Sequence, residues 1–207
     1  MRICPAKASS PCSTTTFMSD IICVTNRKLC CEDFLQRLEK IAKASPKAVI
    51  LREHDLSDKD YTELALKAAE ICGKYGVPLI PHSHYIPGID YVQLKIAELE
   101  ENSGMNDFRY TGVSVHSPQE AVKAEELGAD FLIAGHIFET DCKKGLPPRG
   151  LDYLRSVCSA VDVPVYGIGG ISPENIALVR SAGAAGACIM SSLMTCKDPE
   201  ELLASLK

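Results

Sequence analysis

A histidine follows directly after a short apolar run in the second half of the chain. The run at residues 131–134 is too short for a helix and too apolar for a half-exposed strand, so it predicts a parallel strand that is covered on both faces. Gly135 ends this strand, and His136 then stands at its carboxyl end, where α/β folds place their chemistry. Because an imidazole titrates near neutrality, it can both take and give a proton. We therefore predict that His136 is a general acid/base.

The loop after His136 carries several polar side chains. Glu139 and Thr140 come first, and the pair Lys143 and Lys144 follows. We expect Thr140 and Lys143 to bind the substrate, with the solvated lysine pair closing over the ligand. A structural histidine, or one that binds a phosphate, would also fit the position of His136, so these alternatives stay open at the level of sequence.

A second set of candidates consists of glycines and serines. The sequence GIGGIS at residues 167–172 follows a strand-like run, and MSS at residues 190–192 ends the next one. Glycines let main-chain N–H groups approach an anion closely, and the N-terminus of a following helix adds a favourable dipole. Tight turns would explain the glycines equally well. The position favours a phosphate site, which predicts a small phosphoester as substrate and assigns its phosphate to Gly169, Gly170, Ser191 and Ser192.

Two further polar residues stand at the ends of strand-like runs. Arg52 follows residues 48–51, and its guanidinium suits a substrate carboxylate or phosphate through a paired hydrogen-bond fork. A salt bridge from Arg52 to Glu53 or Asp55 is the alternative. Ser114 lies near the end of the fifth strand-like run, and we predict that its hydroxyl faces the substrate.

Two histidines after the third strand-like run have a spacing seen in metal ligands. His82 and His84 are separated by one residue. No cysteine or acidic cluster joins them nearby in the sequence, so the pattern does not favour a zinc site. We predict no metal.

Strand-like and helix-like segments alternate from about residue 20 onward. This alternation predicts a compact single (β/α)8 barrel, the TIM-barrel fold of the α/β class. A doubly wound open sheet is the competitor, but it usually carries its glycine-rich turn after the first strand. Here that turn follows the seventh strand, which favours the barrel. The predicted strands are residues 20–25, 48–51, 77–80, 91–94, 110–115, 131–134, 163–168 and 185–190, and the clearest helices are residues 32–44, 58–75, 118–128, 151–160 and 199–206.

Length and composition exclude several classes of protein. The 207 residues predict one domain, and a net charge of −5 without a basic run argues against a nucleic-acid partner. No apolar run approaches the ~20 residues of a membrane span. Ten scattered cysteines without a framework spacing are typical of reduced thiols, so we expect a cytoplasmic protein. Residues 1–18 show no periodicity and predict a disordered tail or an upstream start before Met18, with the barrel domain at residues 19–207.

Four segments together resemble the thiamine phosphate synthase/TenI superfamily. They are VILREHDL, TGVSVHSPQEAVKAEELGADF, GHIFETDCKKGL and PVYGIGGISPENI. The third is the most specific and resembles the TenI branch. The resemblance implies a small (β/α)8 barrel, a homodimer, and the thiazole tautomerase reaction of thiamin biosynthesis.

The resemblance also implies a mechanism. The tautomerase turns a non-aromatic carboxythiazole phosphate into its aromatic tautomer: a proton leaves ring C2, and one is delivered to the exocyclic carbon. One imidazole can serve both steps if it reaches both carbons, and the resemblance assigns that role to His136. The same resemblance supports Arg52 or Ser114 as a contact to the substrate head and Gly169, Gly170, Ser191 and Ser192 as the phosphate site, and it implies no cofactor.

The chain departs from the synthase branch at three places. Synthases of this superfamily carry Arg-x-Lys after strand two, Asn-Asp after strand three and an acidic magnesium site after strand four. The corresponding residues here are Arg52-Glu53-His54, PHSH at residues 81–84 and LKIA at residues 94–97. Departure of pyrophosphate needs charge neutralisation, usually by magnesium. A magnesium-dependent thiamine phosphate synthase is therefore the alternative, and a non-catalytic regulator that binds thiazole or thiamine phosphate is the third possibility.

Overall fold

A computed structural model describes residues 19–101 and 110–207 of the chain. Its eight strands form one parallel sheet in the order β3-β2-β1-β8-β7-β6-β5-β4, and helices follow the strands along the chain. The predicted (β/α)8 barrel is therefore confirmed. The strands are Ile21–Val24 (β1), Ala48–Leu51 (β2), Leu79–Pro81 (β3), Tyr91–Lys95 (β4), Tyr110–Val115 (β5), Phe131–Gly135 (β6), Val165–Ile168 (β7) and Gly186–Ile189 (β8). The helices are Phe34–Lys43 (α1), Asp58–Lys74 (α2), Ile96–Glu101 (α3), Pro118–Glu126 (α4), Gly150–Cys158 (α5), Ile176–Ser181 (α6), Ser191–Thr195 (α7) and Pro199–Ser205 (α8).

Most strand residues are buried on both faces of the sheet, which explains why most of the strands are apolar. Successive side chains of a strand point to opposite faces. In β1, Ile21 and Cys23 therefore pack outward against the helices, while Ile22 and Val24 fill the inside of the barrel. The inner cluster consists of Ile22, Val24, Ala48, Ile50, Ile80, Phe131, Ile133, Tyr166 and Cys188.

The barrel closes between β3 and β4 through a short polar seam. In the described residues, the pairing of these two strands is a single parallel bridge between His82 and Gln93. Next to it, the main-chain N–H of Ser83 donates to the carbonyl of Gln93 at 2.8 Å. Two polar residues that the sequence placed outside the predicted site thus stand at the closing point of the barrel.

Side chains cap the helices where the sequence contains suitable residues. The N–H of Glu120 donates to the hydroxyl of Ser117 at 3.0 Å, and Pro118 occupies the first turn of α4. Ser57 caps α2 in the same way. Because a cap satisfies N–H groups that have no partner within the helix, these residues fix where each helix begins.

The sequence Ser172-Pro173-Glu174 repeats the serine-proline start of α4 and predicts a helix from Pro173, but the helix begins later. Residues 173–175 form a turn, and α6 begins at Ile176. The amide of Asn175 causes the delay because it braces the preceding loop: its Nδ2 donates to the carbonyl of Gly170, and its Oδ1 accepts from the N–H of Ser172, both at 2.9 Å.

Other predicted boundaries shift by at most two residues. Strand β3 ends at Pro81 instead of residue 80, and β7 begins at Val165 instead of residue 163. The short helix α7 at the end of β8 was missed because five residues carry too little periodicity to reveal a helix.

Two further properties hold for the described residues. In the described ranges, no helix is both long enough and apolar enough to cross a membrane. The eight cysteines that lie within them are all free thiols. The predictions about residues 1–18 fall outside the described residues.

Candidate active site

A cavity of about 920 Å³ opens at the carboxyl ends of the strands. This is the end at which parallel barrels carry their active sites. All nine predicted site residues line the cavity, although their roles stay predictions. They are Arg52, Ser114, His136, Thr140, Lys143, Gly169, Gly170, Ser191 and Ser192.

The charged side chains and imidazoles of the cavity are all basic, and two cysteine thiols, Cys142 and Cys188, also line it. Among the described residues that line it, none is an aspartate or a glutamate. Such a lining favours an anionic ligand because no carboxylate opposes it. The basic residues are Arg52, His82, His116, His136, Lys143 and Arg149.

His136 is held at the end of β6 by its own loop. The main-chain N–H of Arg149 donates to the carbonyl of His136 at 3.0 Å, and the Nε2 of His136 lies 3.3 Å from the carbonyl oxygen of Leu146. A carbonyl oxygen only accepts, so Nε2 is the donor in this hydrogen bond. In the neutral ring, Nδ1 then carries the lone pair. One nitrogen of His136 is therefore fixed by the loop, and the other is able to accept a proton.

The glycine turn after β7 packs against the loop that follows β6. Gly169 has a φ of +99°, and a Cβ atom there would lie 2.4 Å from the Cβ of His136. Gly170 has a φ of +65°, and a Cβ atom there would lie 2.3 Å from the carbonyl oxygen of Glu139. Only glycine combines these dihedrals with this close approach. The predicted phosphate turn therefore lies directly beside the predicted acid/base.

The serines after β8 meet the same loop. Ser191 and Ser192 begin α7 and line the cavity. The Sγ of Cys142 lies 3.6 Å from the Oγ of Ser191. The ends of β6, β7 and β8 consequently form one continuous wall of the cavity.

Arg52 does not form the salt bridge that the sequence left open. Arg27 takes both neighbouring carboxylates: its N–H donates to Glu53 at 3.0 Å, and its guanidinium pairs with Asp55. The hydrogen bonds from Arg27 and then Lys28 hold the pKa of the Asp55 carboxyl well below its usual range. Within the described part of the chain, the half-buried Arg52 guanidinium has no ion pair. It lines the cavity and can accept an anionic group of a ligand.

Ser114 is oriented by a residue that the sequence analysis missed. Gln93 in β4 is 2% exposed, and its Nε2 donates to the Oγ of Ser114 at 2.8 Å and to the carbonyl of Leu94 at 2.9 Å. Buried polar groups are normally hydrogen-bonded in this way. The signal was a glutamine inside an otherwise apolar strand, YVQLK.

Thr140 has a structural role in addition to its place at the cavity. Its hydroxyl accepts from the N–H of Cys142 at 3.4 Å and caps a short 3₁₀ turn, Asp141–Lys143. Of the two lysines that follow, Lys144 pairs with Asp141, whereas Lys143 lines the cavity. Only one lysine of the predicted pair therefore reaches the site.

His82 is one of three imidazoles that line the cavity, and the sequence analysis did not assign it to the site. It is 7% exposed, and its Nδ1 lies 2.9 Å from the Oγ of Ser83, whose hydroxyl donates to Glu98 at 2.7 Å. Burial above all, and then the nearby His54 and Arg52, lower the pKa of His82 to about 4. The ring is therefore neutral near pH 7.

Arg149 completes the rim of the cavity. Its guanidinium donates to the carbonyl of His116 at 2.8 Å and lies 5.3 Å from the ring centroid of Tyr153. No sequence pattern pointed to this residue, because it lies in the irregular loop before α5. Leu146, Pro147 and Pro148 line the same rim.

The described residues of the cavity do not match a magnesium site. Magnesium is bound through carboxylates and other oxygen ligands, but β3 ends next to His82 and β4 ends in Lys95. No group of three His, Cys, Asp or Glu residues in the described ranges is arranged to hold a metal ion. Instead, His84 stacks on Tyr61 with ring centroids 3.7 Å apart.

The sequence is similar to proteins of one family along most of its length. The family model for thiamine monophosphate synthase matches residues 21–193. The thiamine-phosphate synthase of Alkaliphilus oremlandii is 33% identical over 182 residues, which cover 84% of this chain and 87% of that protein. Thiamine-phosphate synthase 2 of Streptococcus pneumoniae is 32% identical over 185 residues, which cover 86% of this chain and 88% of that protein.

The fold is similar to that of solved barrels. The thiamine phosphate pyrophosphorylase of Pyrococcus furiosus superposes with a TM-score of 0.77 at 24% identity and covers 92% of this chain and 96% of its own. A 3-hexulose-6-phosphate synthase superposes with a TM-score of 0.67 at 14% identity and covers 90% of this chain and 97% of its own. These structures bear on the fold alone. The family model and the sequence identity assign the chain itself, which belongs to the thiamine monophosphate synthase/TenI family.

Proposed function

We propose that this chain is a thiazole tautomerase, an isomerase of thiamin biosynthesis that aromatises a carboxythiazole phosphate by proton transfer through His136. One observation carries this proposal: the described lining of the cavity combines imidazoles and cations and contains no carboxylate. Aromatisation needs a proton to be moved on an anionic substrate, and it needs no metal.

The phosphate defines how the substrate would lie. Its negative charge fits the turn at Gly169 and Gly170 and the start of α7 at Ser191 and Ser192, where main-chain N–H groups and hydroxyls are available. The substrate carboxylate fits the Arg52 guanidinium through a charge-assisted hydrogen-bond fork. The two anionic ends of the substrate thereby fix the ring between them.

His136 would act at the exocyclic carbon. That carbon is separated from the phosphate ester oxygen by one methylene group, and the phosphate turn packs directly against His136. An imidazolium at this position gives its proton to the exocyclic carbon as the ring becomes aromatic. Ser114 and Lys143 would hold the remaining polar atoms of the substrate.

The names of the relatives favour the second candidate, a thiamine phosphate synthase. The relatives of Alkaliphilus oremlandii and Streptococcus pneumoniae carry that name at 32–33% identity, and they support the synthase better than the tautomerase. The side chains at the ends of β3 and β4 argue in the opposite direction, because the magnesium ligands of a synthase have no counterpart among the described residues there. A barrel that binds thiazole phosphate without turnover is the third candidate.

One set of assays separates the three candidates. The purified protein is mixed with the non-aromatic carboxythiazole phosphate without magnesium, and in parallel with thiazole phosphate, the pyrimidine pyrophosphate and magnesium. Aromatisation in the first mixture supports the tautomerase, and condensation only in the second supports the synthase. A rise in melting temperature with thiazole phosphate, without turnover in either mixture, supports the silent binder.

The remaining expectations are proposals as well. We propose a homodimer in the cytoplasm that uses a small phosphorylated thiazole and has no nucleic-acid or membrane partner. Sedimentation equilibrium of the full chain tests the dimer, and a mass equal to that of one chain at micromolar concentration contradicts it.

A further inference from the structure

His82 lies across the cavity from the phosphate turn. The strands follow one another around the barrel in the order β3-β2-β1-β8-β7-β6-β5-β4, so β3 is four strands away from β7 in an eight-stranded ring. A ligand anchored after β7 and β8 that extends across the mouth therefore points its far end toward β3 and β4, the strands opposite, and β2 is the other neighbour of β3. Arg52 follows β2, and His82 follows β3.

The hydrogen bonds of His82 fix which nitrogen carries the proton. The hydroxyl of Ser83 has one hydrogen, and it donates that hydrogen to Glu98 at 2.7 Å. At the 2.9 Å contact between Ser83 and His82, the Nδ1 of His82 must therefore be the donor. In the neutral ring, the lone pair then lies on Nε2.

The lone pair of His82 is available to a ligand. Among the described residues, no hydrogen bond reaches its Nε2, and that atom is not one of the unpartnered polar atoms closed off from solvent. Since His82 lines the cavity, Nε2 reaches the solvent of the cavity. A base whose other nitrogen is oriented by a third group is the arrangement found in many proton-transfer sites.

We propose that His82 is the second proton-transfer residue of this site: its Nε2 takes the proton from ring C2 of the substrate, while His136 delivers a proton to the exocyclic carbon. This inference rests on the proposed function. The exocyclic carbon is at the phosphate end of the substrate, beside His136, whereas C2 and its carboxylate are at the opposite end of the ring. That end faces Arg52 and His82.

The step balances without an oxidant or a reductant. The C2–H bond breaks, its proton moves to the Nε2 of His82, and its electron pair enters the ring. The exocyclic double bond takes up a proton from the His136 imidazolium as the ring becomes aromatic. Each imidazole then returns to its starting state by exchanging a proton with water.

Of the charges around His82, the Glu98 carboxylate favours the imidazolium that forms, whereas Arg52 opposes it. Burial, His54 and Arg52 lower the pKa of His82, and Glu98 opposes them. A substrate carboxylate bound to Arg52 offsets the charge of that guanidinium. The hydrogen bond through Ser83 then links the protonated ring to the Glu98 carboxylate, as an acid orients and stabilises the histidine of a triad. Other polar groups in contact with this residue are Tyr61, through the main chain of His82, and His84.

Deuterium exchange distinguishes the proposed proton-transfer roles of His136 and His82. The non-aromatic substrate, with hydrogen at C2, is incubated in deuterated buffer with the wild type, His136→Asn and His82→Asn, and proton NMR follows both C2 and the product. We expect His136→Asn to lose product formation by about 10²–10⁴-fold while it still exchanges deuterium into C2 of unreacted substrate. We expect His82→Asn to lose both the exchange and the product.

Two further variants keep the test independent of folding. Ser83→Ala leaves His82 in place but removes the acceptor of its Nδ1, so kcat should fall with little change in KM, and the ¹⁵N signals of His82 should shift toward a mixture of tautomers. Binding of thiazole phosphate by His82→Asn should equal that of the wild type because the phosphate residues are intact. Equal binding with lost exchange supports the proposal.

Two results overturn the proposal in distinguishable ways. If His136→Asn abolishes exchange at C2 and His82→Asn aromatises at the wild-type rate, His136 serves both carbons and the proposed function survives alone. If the wild type neither aromatises nor exchanges C2, the proposed function fails and the role of His82 fails with it.

Discussion

The hydrogen-bond partner of each imidazole decides which of its nitrogens can react. His136 donates from Nε2 to a carbonyl, and His82 donates from Nδ1 to a hydroxyl that is itself bonded to a carboxylate. Each residue therefore keeps one fixed nitrogen and one nitrogen with a lone pair. Arg52 is free of its neighbouring carboxylates because Arg27 binds both of them. A few local hydrogen bonds thus set the chemistry of the cavity.

Replacing Arg52 should weaken the binding of carboxylated substrate. Without the guanidinium, Arg52→Ala loses a charge-assisted interaction, and we expect KM to rise about 10- to 100-fold, in line with 1.5–3 kcal/mol for such hydrogen bonds. Steady-state kinetics measures the change. Arg155→Ala is the matched control, because Arg155 pairs only with the exposed Asp152 in the described structure. An unchanged KM in Arg52→Ala would remove Arg52 from the site.

The neutral state of His82 predicts a dependence of stability on pH. Its folded pKa of about 4 lies below the ordinary value of 6.5, so the unfolded chain binds more protons between these two values. Stability contributed by neutral His82 is present above pH 6.5 and is lost as the pH falls toward 4. We expect urea unfolding at pH 4.5 to show a loss on the order of 2 kcal/mol relative to pH 7, and this part should disappear in His82→Gln. Identical losses in the two proteins would contradict the assignment.

Loops at the ends of β6, β7 and β8 build one side of the cavity by packing against one another. The glycine turn after β7 and the loop after β6 approach so closely that a Cβ atom at Gly169 or Gly170 has no space. On the other side, a short seam at His82 and Gln93 joins β3 to β4. The strands supply rigid ends, and the loops supply the groups that meet a ligand.

Gly169→Ala should lower the free energy of unfolding by more than the same substitution at a glycine that has a positive φ but open space around it. Gly128 has a φ of +92° with open space around its missing Cβ, whereas Gly169 has a φ of +99° and faces the Cβ of His136 at 2.4 Å. Gly128→Ala should cost about 1–2 kcal/mol from backbone strain alone. We expect Gly169→Ala to lose more stability than this and also to lose thiazole phosphate binding, as measured by urea unfolding and calorimetry.

Equal stability losses in the two glycine variants, together with intact binding in Gly169→Ala, would show that the turn can yield. That result would contradict the assignment of the glycine turn as the phosphate-binding site.

The whole barrel is tied together where its first and last strands meet. Arg180 in α6 forms a fork to Asp20, with its Nε and Nη2 at 2.8 and 2.9 Å from the carboxylate oxygens. The same guanidinium donates to the carbonyl of Leu206 at 2.6 Å, and the carbonyl of Asp20 accepts from the N–H of Ala187 at 3.2 Å. This one side chain therefore joins the start of β1, helix α6 and the end of α8.

Removing this contact should lower stability without affecting the cavity. We expect Arg180→Met to lose about 1–2 kcal/mol because several hydrogen bonds to a partly buried charge are lost together. Lys74→Met is the control, since the exposed pair of Lys74 with Glu70 should contribute at most about 0.5 kcal/mol. Thermal unfolding measures both variants, and their kinetic constants should match those of the wild type. A melting temperature equal to that of the wild type for Arg180→Met would contradict this role of Arg180.

The sequence was sufficient for the barrel and for the strand ends. Apolar runs such as residues 131–134 that alternate with helices predict buried parallel strands. Because the carboxyl ends of parallel strands lie at the same end of the barrel, His136, Arg52 and Ser114 come together there. Predicted helix boundaries were wrong where a side chain hydrogen-bonds to the main chain of the preceding loop, as Asn175 does before α6.

The remaining parts of the site depend on contacts that periodicity does not encode. Gln93 was missed because its role is a bond across the sheet to Ser114. His82 was considered only as a metal ligand, since its link through Ser83 to Glu98 becomes visible only when a loop folds back on α3. Arg149 lies in an irregular loop, where the spacing of residues in the sequence does not predict which way a side chain points.

The most direct test of the account is the rate of aromatisation by the wild type and by His136→Asn without magnesium. Proton NMR follows the ring signals of freshly prepared carboxythiazole phosphate, and calorimetry with thiazole phosphate checks that the variant still binds. We predict rapid aromatisation by the wild type and a loss of about 10²–10⁴-fold in the variant with intact binding. Equal rates in the two proteins, or no acceleration by the wild type over buffer, would contradict the assignment of His136 as the proton-transfer residue of a tautomerase.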